Sequence, residues 1–221
     1  MTAAPFDQLA ATYDDLWTTT RAGAEQRAKV WRRVDPLFRP GERLLDVGCG
    51  TGVDAVHYEA RGLRVHATDA SQAMVEIARG RGGFRVSRVL AEEIATLGEM
   101  FDGALSNFGA LNCVPDLTGV ARQFAMVIRP GGYLAICTIG RFCAAETVRY
   151  AARAQFRKAM RRLRGVAPST LGVTVYYPTV QQLRRVFRPH FELRRWWGID
   201  HVPAFRWAAD HRLLLFQRVS C

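Results

Sequence analysis

Lysine is almost absent from this sequence. Lys29 and Lys158 are the only lysines among 31 basic residues, which outnumber the 20 acidic residues and give a formal net charge of +11. So basic a chain would ordinarily suggest nucleic acid, a membrane surface or an acidic substrate as its partner. However, an excess carried almost entirely by arginine is more typical of a bias in coding composition than of selection for phosphate contacts. The charge alone therefore does not indicate a nucleic-acid-binding protein.

Long apolar runs and cysteine pairs are missing too. The uncharged stretch at residues 103–115 is too short and too rich in glycine to span a bilayer. Residues 1–11 contain no basic region followed by an apolar run, so we expect no signal peptide. The five cysteines form no Cys-x-x-Cys pair and have no histidine at metal-ligand spacing. We therefore expect a soluble, cytoplasmic protein with reduced cysteines and no metal site.

The most informative segment joins an apolar strand to a glycine-rich turn. Residues 44–52 read Leu-Leu-Asp-Val-Gly-Cys-Gly-Thr-Gly. Glycines at the carboxyl end of a strand let the backbone approach a ligand without side-chain hindrance. A second predicted strand, residues 63–69, ends in Asp69, where a carboxylate can hydrogen-bond ribose hydroxyls. Together the two features predict a cofactor of the nucleotide type.

The spacing of the glycines argues against a dinucleotide. A Gly-x-Gly-x-x-Gly fingerprint that begins at Gly48 needs glycine at position 53, but Val53 stands there and the third glycine falls at Gly52. Asp46, inside the strand before the turn, suits a cationic ligand better than a pyrophosphate, which its charge would repel. A nicotinamide-dependent dehydrogenase stays open as a lower-ranked alternative.

These residues resemble the class I S-adenosylmethionine (SAM)-dependent methyltransferases of the small-molecule type. Residues 45–52 read like the family's first motif, and residues 69–74 like its second-strand acid and the helix start that follows. Residues 101–107 are similar to its fourth strand, and residues 128–136 to the turn into its fifth. The resemblance implies SAM as cofactor, S-adenosylhomocysteine as product, and transfer of a methyl group to an oxygen or nitrogen atom of a small or medium-sized metabolite.

The resemblance also implies roles for individual residues. Gly48 and Gly50 would meet the methionine part and the ribose, Asp46 would order the amino group, and Asp69 would bind both ribose hydroxyls. The predicted cofactor-binding residues are Tyr13, Arg21, Asp46, Gly48, Cys49, Gly50, Asp69, Ala70, Met74, Ala91, Glu92 and Asn107.

Recognition of the adenine is where this chain departs from the family pattern. The family often has an acid at the position of Leu90. Adenine recognition would therefore fall to the backbone of Ala91 and to Glu92. Ala70 and Met74 are candidates for contacting the faces of the ring, although a methionine in a helix is as often plain core.

The amino-terminal residues and the end of the fourth strand carry the remaining candidates. Residues 6–14 resemble the helix that covers the cofactor in many small-molecule methyltransferases, with Tyr13 contacting the cofactor and Arg21 pairing with its carboxylate. The alternative, in which Tyr13 simply packs and Arg21 is solvated, stays open. Methyl transfer needs in-line alignment of the acceptor, the methyl carbon and the sulfur. No single general base is indicated; the weak catalytic candidates are Tyr13, Asn107 and His201, with Asp200 beside His201.

Residues 106–109 bear on the class of acceptor. They read Ser-Asn-Phe-Gly, whereas methyltransferases that act on nucleic acid bases often carry an Asn/Asp-Pro-Pro-aromatic signature there. The departure disfavours an RNA methyltransferase, which the charge favours and which stays open as an alternative. A SAM-binding module without turnover is the second alternative.

Strand and helix patterns alternate along the chain. Predicted strands lie near residues 43–48, 63–69, 84–90, 101–106 and 132–138; predicted helices lie near residues 7–17, 22–38, 52–61, 71–80 and 116–128. The alternation predicts an α/β, doubly wound, mostly parallel sheet with helices on both faces. The resemblance implies seven strands with the last one antiparallel. Later in the chain we predict a capping box at Thr179 that opens a helix to Arg188, and strands at 191–197 and 212–219.

We expect one methyltransferase domain over residues 1–221. Its predicted parts are amino-terminal lid helices (1–40), a cofactor-binding core (41–140), a basic helix with an acceptor-side insertion (141–178) and a carboxy-terminal helix with strands (179–221). The sequence does not indicate an oligomeric state.

A predicted helix over residues 149–164 is strongly basic. Its basic residues are Arg149, Arg153, Arg157, Lys158, Arg161, Arg162 and Arg164, and its opposite face consists of Val148, Ala152, Phe156, Ala159 and Leu163. The period of the second set predicts a face packed against the domain. The basic face is either solvated or a wall beside a substrate or polyanion. With the loop at 196–207, we expect it to form part of a pocket for a small acceptor of anionic or aromatic character.

Overall fold

The computed structural model describes residues 6–169, 172–199 and 209–219, and all structural statements below concern these residues. Their main sheet has seven strands in the order β3-β2-β1-β4-β5-β9-β8, and a separate hairpin pairs β6 with β7. The strands are β1 (Arg43–Val47), β2 (Arg64–Asp69), β3 (Arg85–Arg88), β4 (Phe101–Ser106), β5 (Ile128–Ile139), β6 (Val166–Pro168), β7 (Thr174–Tyr176), β8 (Phe191–Gly198) and β9 (His211–Arg218).

Helices connect the strands. The α-helices are α1 (Arg21–Val34), α2 (Val53–Ala60), α3 (Gln72–Arg79), α4 (Leu117–Val127), α5 (Ala144–Ala151), α6 (Phe156–Ala159) and α7 (Val180–Phe187). Shorter 3-10 segments are Ala10–Thr12, Asp35–Leu37, Ala91–Leu97, Ala110–Cys113 and Arg161–Arg164, and Asp14–Thr18 is a π-helical turn. None of the helices in the described ranges has both the length and the apolarity needed to cross a membrane.

The topology confirms the predicted doubly wound sheet. Strands β1 to β5 pair in parallel, and β9 lies between β5 and β8, antiparallel to both. The last strand is therefore the antiparallel one, as the family resemblance implied. Because all carboxyl ends of the parallel strands lie at one edge, the loops that follow them meet there.

Each face of the sheet is covered by its own apolar core. Leu44 and Leu45 are both fully buried and point to opposite faces, as successive strand residues do. Leu45 packs in the cluster that contains Phe124 of α4 and Phe187 of α7. Leu44 packs in the other cluster, with Val30 of α1 and with α2. The continuous apolar runs of the central strands thus reflect burial on both sides.

Several predicted elements agree with the observed ones to within one residue at each end, and the capping box at Thr179 is present. Strand β5 is longer than predicted, because it begins at Ile128 rather than near residue 132. The helix predicted over residues 22–38 ends at Val34 and continues as the 3-10 turn Asp35–Leu37. Pro36, which lacks a backbone N–H, explains the change.

The helix predicted over residues 7–17 is wrong as a regular helix. The chain forms a 3-10 turn and then a single wide π-helical turn. The carboxylates that a regular helix would present to solvent bind other elements instead. Asp14, for example, accepts a hydrogen bond from the Thr51 hydroxyl at 2.7 Å.

The continuous basic helix predicted over residues 149–164 is also wrong. Helix α5 ends at Ala151, Ala154 has a φ of +54°, and only Phe156–Ala159 is again α-helical. Both Arg161 and Arg162 pair with the buried Glu146, which folds the segment back on itself.

The face predicted to pack against the domain is largely exposed. Val148, Phe156 and Leu163 expose 67%, 65% and 40% of their surface. The side chains of Arg149, Lys158 and Ala159 lie outside the described set.

Candidate active site

A cavity of about 540 Å³ lies at the carboxyl ends of the parallel strands. Its volume is in the range of small-ligand pockets. The residues that line it are Phe6, Tyr13, Val47, Gly48, Gly50, Asp69, Ala70, Ser71, Met74, Val89, Leu90, Ala91, Glu92, Asn107, Phe108, Gly109, Ala110, Leu111, Asn112, Cys113, Val114, Ile139, Ser169, Val173 and Val175.

The glycine turn after β1 forms the floor of this cavity. Gly48, Gly50 and Gly52 have φ angles of +71°, +55° and +85°, which favour glycine. A Cβ at Gly48 would lie only 2.3 Å from the Cβ of Ala110. The turn is therefore a backbone surface from which side chains are excluded.

Asp69 is held at the end of β2 by two backbone amides. One carboxylate oxygen accepts the N–H of Gly50 and the other that of Ser71, each at 2.9 Å. Burial raises the pKa of this carboxyl group, while the backbone hydrogen bonds oppose the rise. Each oxygen keeps a second lone pair, so the group is suited to accept hydrogen bonds from two neighbouring hydroxyls of a ligand.

Asp46 lies directly behind the floor of the cavity. Its side chain is 1% exposed, and neither carboxylate oxygen has a hydrogen-bond partner among the described residues. Burial, reinforced by the neighbouring Asp54, raises the pKa of Asp46 well above its usual range, and Arg27 offsets part of the rise. An unpartnered buried carboxylate of this kind is stabilised by a cation placed beside it.

A buried polar network supports the other side of the floor. The carboxylate of Asp54 in α2 pairs with Arg27 and accepts the indole N–H of Trp31 at 2.7 Å. It also accepts the side-chain amide of Asn107 at 3.0 Å. The network fixes α1, α2 and the end of β4 relative to one another.

The same network positions Phe108. The amide oxygen of Asn107 accepts the backbone N–H of Phe108 at 3.0 Å, and Phe108 has a φ of +47°, which is unusual for a residue with a side chain. Its ring lies 4.8 Å from the guanidinium carbon of Arg27. The sequence did not indicate Arg27, Trp31 or Asp54 as site residues, because an acid in the first turn of a helix is ordinary.

The amino-terminal segment, residues 6–20, lines part of the cavity and is held in place by two carboxylates. Asp7 pairs with the Ser71 hydroxyl and the backbone N–H of Ala73, and Asp14 pairs with Arg81 in addition to Thr51. Phe6 and Tyr13 of this segment line the cavity. Burial raises the pKa of Tyr13, so its hydroxyl is protonated at neutral pH and can donate a hydrogen bond.

The opposite half of the cavity is mostly apolar. Its walls include Leu111, Val114, Ile139, Val173 and Val175, the last two from the β6–β7 hairpin and its turn. A polar side chain also lies there, but it forms hydrogen bonds with the protein backbone.

That side chain belongs to Asn112, which is fully buried. Its amide donates to the carbonyls of Ile139 and Tyr176 and accepts the N–H of Ile139, which ties the hairpin to the end of β5. Burial also raises the pKa of the Cys113 thiol in this half.

Most of the residues predicted to bind a cofactor come together around this cavity. The predicted residues that line it are Tyr13, Gly48, Gly50, Asp69, Ala70, Met74, Ala91, Glu92 and Asn107. Asp46 and Cys49 lie behind its floor. Arg21 is not brought to the site: its side chain is 93% exposed and pairs with Glu25.

The remaining predicted site residues lie either on β8 or outside the described ranges. Trp196 and Trp197 lie on β8 and do not line it. His201, Asp200 and the loop at 200–208 lie outside the described residues.

The comparisons identify the class to which this site belongs. A family model described as a methyltransferase domain matches residues 21–196, and the chain belongs to this family. Its fold is that of the class I SAM-dependent methyltransferases, which confirms the family predicted from the sequence.

Two curated relatives match part of this chain. The demethylmenaquinone methyltransferase of Clavibacter sepedonicus is 34% identical over an alignment of 141 residues, which covers 61% of this chain and 56% of that protein. The 2-phytyl-1,4-naphtoquinone methyltransferase of Synechococcus elongatus is 30% identical over 150 residues, which cover 62% of each chain.

A solved structure covers nearly all of the chain. The CcbJ methyltransferase of Streptomyces caelestis matches over 99% of both chains with a TM-score of 0.73 at 15% identity. At this identity the likeness shows the fold alone. The curated relatives, in contrast, are matched over little more than half of their length.

Proposed function

We propose that this chain binds SAM and transfers its methyl group to a small, largely apolar acceptor that contains a planar ring. The observation that carries the proposal is the pair of carboxylates at the glycine turn. Asp69 presents two oxygens to the cavity, and Asp46 is buried behind its floor without a hydrogen-bond partner. A ligand with both a diol and a cationic group fits this pair.

The residues present fit SAM along its whole length. Asp69 would hold the ribose hydroxyls, and the glycine turn would admit the methionine part, whose ammonium group stabilises the charge of Asp46. Met74, Leu90 and Ala91 offer an apolar slot for the adenine. When bound, SAM supplies a methyl group on a positively charged sulfur. The chain then has to orient the acceptor and exclude water.

The cavity residues orient the acceptor and exclude water mainly through the shape of the cavity. Within the described ranges, the titratable side chains that line the cavity are Tyr13, Asp69, Glu92 and Cys113. Tyr13 and Cys113 have raised pKa values and stay protonated, while Asp69 is engaged by two amides. None of these three is well placed to remove a proton. An acceptor that ionises readily, such as a hydroxyl on an aromatic ring, suits such a site.

The apolar half of the cavity, opposite the glycine turn, would hold the acceptor, and we call it the acceptor half. Its lining favours an apolar ring over an anion. It is lined mainly by aliphatic side chains, and Phe108 presents a ring fixed by Asn107 and Arg27. The two relatives are named for demethylmenaquinone and for 2-phytyl-1,4-naphtoquinone. We therefore propose a ring of the naphthoquinone type, or a compound of similar shape, as the acceptor. Transfer to an oxygen or nitrogen atom stays a prediction.

Calorimetry tests the cofactor. We expect SAM and S-adenosylhomocysteine to bind the wild-type protein and NADH not to bind. Asp69→Ala should weaken both ligands at least tenfold, because two charge-assisted hydrogen bonds are lost. Glu93→Ala, which removes an exposed acid from the same region, is the matched control and should bind like the wild type. No binding of SAM by folded wild-type protein contradicts the proposal.

A second experiment tests the acceptor. The protein is incubated with methyl-labelled SAM and either a reduced naphthoquinone or an anionic aromatic acid, and NMR of the product locates the methyl group. We expect turnover of the reduced naphthoquinone alone. Turnover of the acid alone contradicts the apolar acceptor. Tight SAM binding without turnover of any acceptor favours a SAM-binding module that is not an enzyme.

A further inference from the structure

The segment from α5 to β6, residues 144–166, exposes an unusual amount of apolar surface. Its large exposed apolar side chains are Val148, Phe156, Met160, Leu163 and Val166, with 67%, 65%, 51%, 40% and 43% of their surface exposed. Phe156 opens the short helix α6, Met160 directly follows this helix, and Leu163 lies in the 3-10 turn Arg161–Arg164. Exposed apolar residues scattered singly need no explanation, but such a concentration in one segment marks an interaction surface. We call this segment the amphipathic flap.

The flap is also strongly basic. Glu146 is its only acid, and it pairs with Arg161 and Arg162. Arg162 also pairs with Asp210, so the charges of these two arginines are balanced by two carboxylates. Other arginines of the flap, Arg153, Arg157 and Arg164, are exposed and form no ion pair with any described residue. The flap therefore presents uncompensated positive charge among its exposed apolar side chains.

The flap is continuous with the cover of the acceptor half. Val166 begins β6 and pairs with Tyr176 of β7, while Ala167 beside it is buried and pairs with Val175, which lines the cavity. The backbone N–H of Tyr177 donates to the carbonyl of Gly165, which closes the base of the hairpin. One small structural unit thus has the apolar cavity on its inner side and the flap at its outer end.

We propose that the amphipathic flap binds the surface of a bilayer that contains anionic phospholipids. Short helices with apolar side chains and interspersed arginines lie in the interfacial region, where the apolar groups enter the acyl boundary and the arginines reach the phosphates. RNA would use the arginines and a stacking surface on Phe156, but it gains little from Val148, Met160 or Leu163, which offer no flat surface for stacking. Charge and apolarity together therefore select a lipid surface.

The consequence for the substrate rests on the proposed function. An acceptor with a long apolar tail is stored in the bilayer rather than in water. A flap at the membrane surface places the apolar half of the cavity next to this store, so such an acceptor reaches the site without crossing water. Lipid binding itself requires neither SAM nor an acceptor.

Flotation with lipid vesicles tests the proposal on the full chain. We expect the wild-type protein to float with vesicles of equal parts phosphatidylcholine and phosphatidylglycerol, and only weakly with pure phosphatidylcholine. Arg153→Gln with Arg157→Gln should weaken binding at least about fivefold, and high salt should do the same. Phe156→Ser with Met160→Ser should weaken it about tenfold, since apolar area is lost from the interface.

Matched controls lie at the opposite edge of the sheet, at the amino ends of the strands. Met126→Ser removes a methionine as exposed as Met160, at 53% against 51%, from the end of α4 that leads into β5. Arg32→Gln with Arg39→Gln removes two exposed charges before β1. Both controls should float like the wild type.

Two outcomes overturn the proposal. In the first, the anionic vesicles bind the flap variants as strongly as the controls, or they do not bind even the wild-type protein. In the second, the protein shifts RNA in a gel in a flap-dependent manner and does not bind vesicles. Calorimetry with SAM on the same variants shows that they are folded, because the flap does not contribute to the cofactor half. Loss of vesicle binding with normal SAM binding thus separates this inference from the proposed function.

Discussion

Asp46 lies in an environment that disfavours its ionised form. Its carboxylate is buried, has no hydrogen-bond partner among the described residues, and lies near another carboxylate, Asp54. A buried unsatisfied polar group of this kind destabilises a protein by about 1–3 kcal/mol. Residues that reduce stability in this way are often found at functional sites, where a ligand compensates them.

The first prediction at this scale concerns stability. Asp46→Asn should raise the free energy of unfolding at neutral pH by about 1–3 kcal/mol, because asparagine has nearly the same shape and carries no group whose ionisation burial disfavours. The folded-state pKa of Asp46 is raised, so the native state binds more protons than the unfolded state between the two pKa values. Wild-type stability therefore falls as the pH rises through that interval, and the advantage of the variant grows. Urea unfolding over a series of pH values measures it.

The same substitution should weaken the binding of SAM. A cationic group beside Asp46 favours the ionised carboxylate, so SAM binding releases a proton and affinity rises with pH up to the raised pKa. In Asp46→Asn this pH dependence should be lost, along with about tenfold in affinity. Asp15→Asn removes an exposed acid and serves as control. A variant that is less stable than the wild type and binds SAM equally well contradicts the role assigned to Asp46.

At the residue scale, the sequence predicted the residues that line the cavity better than the buried residues that hold them in place. Gly48, Gly50 and Asp69 belong to a motif whose spacing is itself the signal, and all three line the cavity. Arg27 and Asp54 could not be predicted, because they are 27 positions apart and meet only when α1 packs beside α2. Their partnership is a product of tertiary structure, not of local pattern.

At the scale of elements, the amino-terminal segment is held by two kinds of contact. Asp7 and Asp14 form polar contacts with α3, Thr51 and Arg81, and Trp17 packs against Phe108 and His211, while Leu16 is 62% exposed. Breaking the polar contacts should lower the free energy at which such a segment opens. This segment also lines the cavity through Phe6 and Tyr13, so its opening would expose the cofactor half.

Asp14→Ala tests whether the segment acts as a lid. Loss of the hydrogen bond to Thr51 and the ion pair to Arg81 should raise hydrogen exchange over residues 6–20 and speed the release of SAM by about tenfold. Exchange mass spectrometry and stopped-flow displacement measure the two effects. Asp15→Ala, the exposed neighbour, should change neither. Faster exchange without faster release shows that the segment does not control the cofactor.

Elements with apolar periods and clear end signals were predicted well, whereas the basic segment was not. Helix α4 has a buried apolar face and Asp116 as its cap, and its predicted bounds differ from the observed ones by a single residue at each end. In the amphipathic flap, a four-residue period of arginines suggested one helix. The observed chain is interrupted instead, because Ala154 adopts a positive φ and the buried Glu146 pairs with both Arg161 and Arg162.

At the scale of the whole molecule, β9 completes the sheet. It pairs with β5 along seven positions and with β8 on its other side, and Leu213, Leu214 and Phe216 are fully buried. Leu213 and Leu214 belong to the two different cores. The strand thus contributes to both faces of the sheet at once.

Truncation tests this dependence. A chain that ends at Ala209 should lose cooperative thermal unfolding and bind a dye for exposed apolar surface, since β5 and β8 are left without their common neighbour. A chain that ends at Arg218 keeps all of β9 and should unfold like the full chain. Circular dichroism and dye fluorescence compare the two. Cooperative unfolding of the shorter chain would mean that the remaining strands form a stable sheet on their own.

The overall architecture followed from the sequence because strands and helices alternate, which restricts the possible topologies. The insertion of the last strand did not follow from periodicity. Residues 191–198 and 211–218 are both strand-like, and nothing local says which of them lies beside β5. The family resemblance supplied that order, and the observed sheet agrees with it.

The position of β9 also bears on how the chain is made. During synthesis, β5 leaves the ribosome well before its neighbour, since everything between Ile139 and His211 has to be translated first. Throughout that interval the nascent chain carries an unpaired, apolar strand edge that can join a second copy. We therefore expect translation pauses or chaperone supply over this stretch to determine the yield of folded protein in recombinant expression.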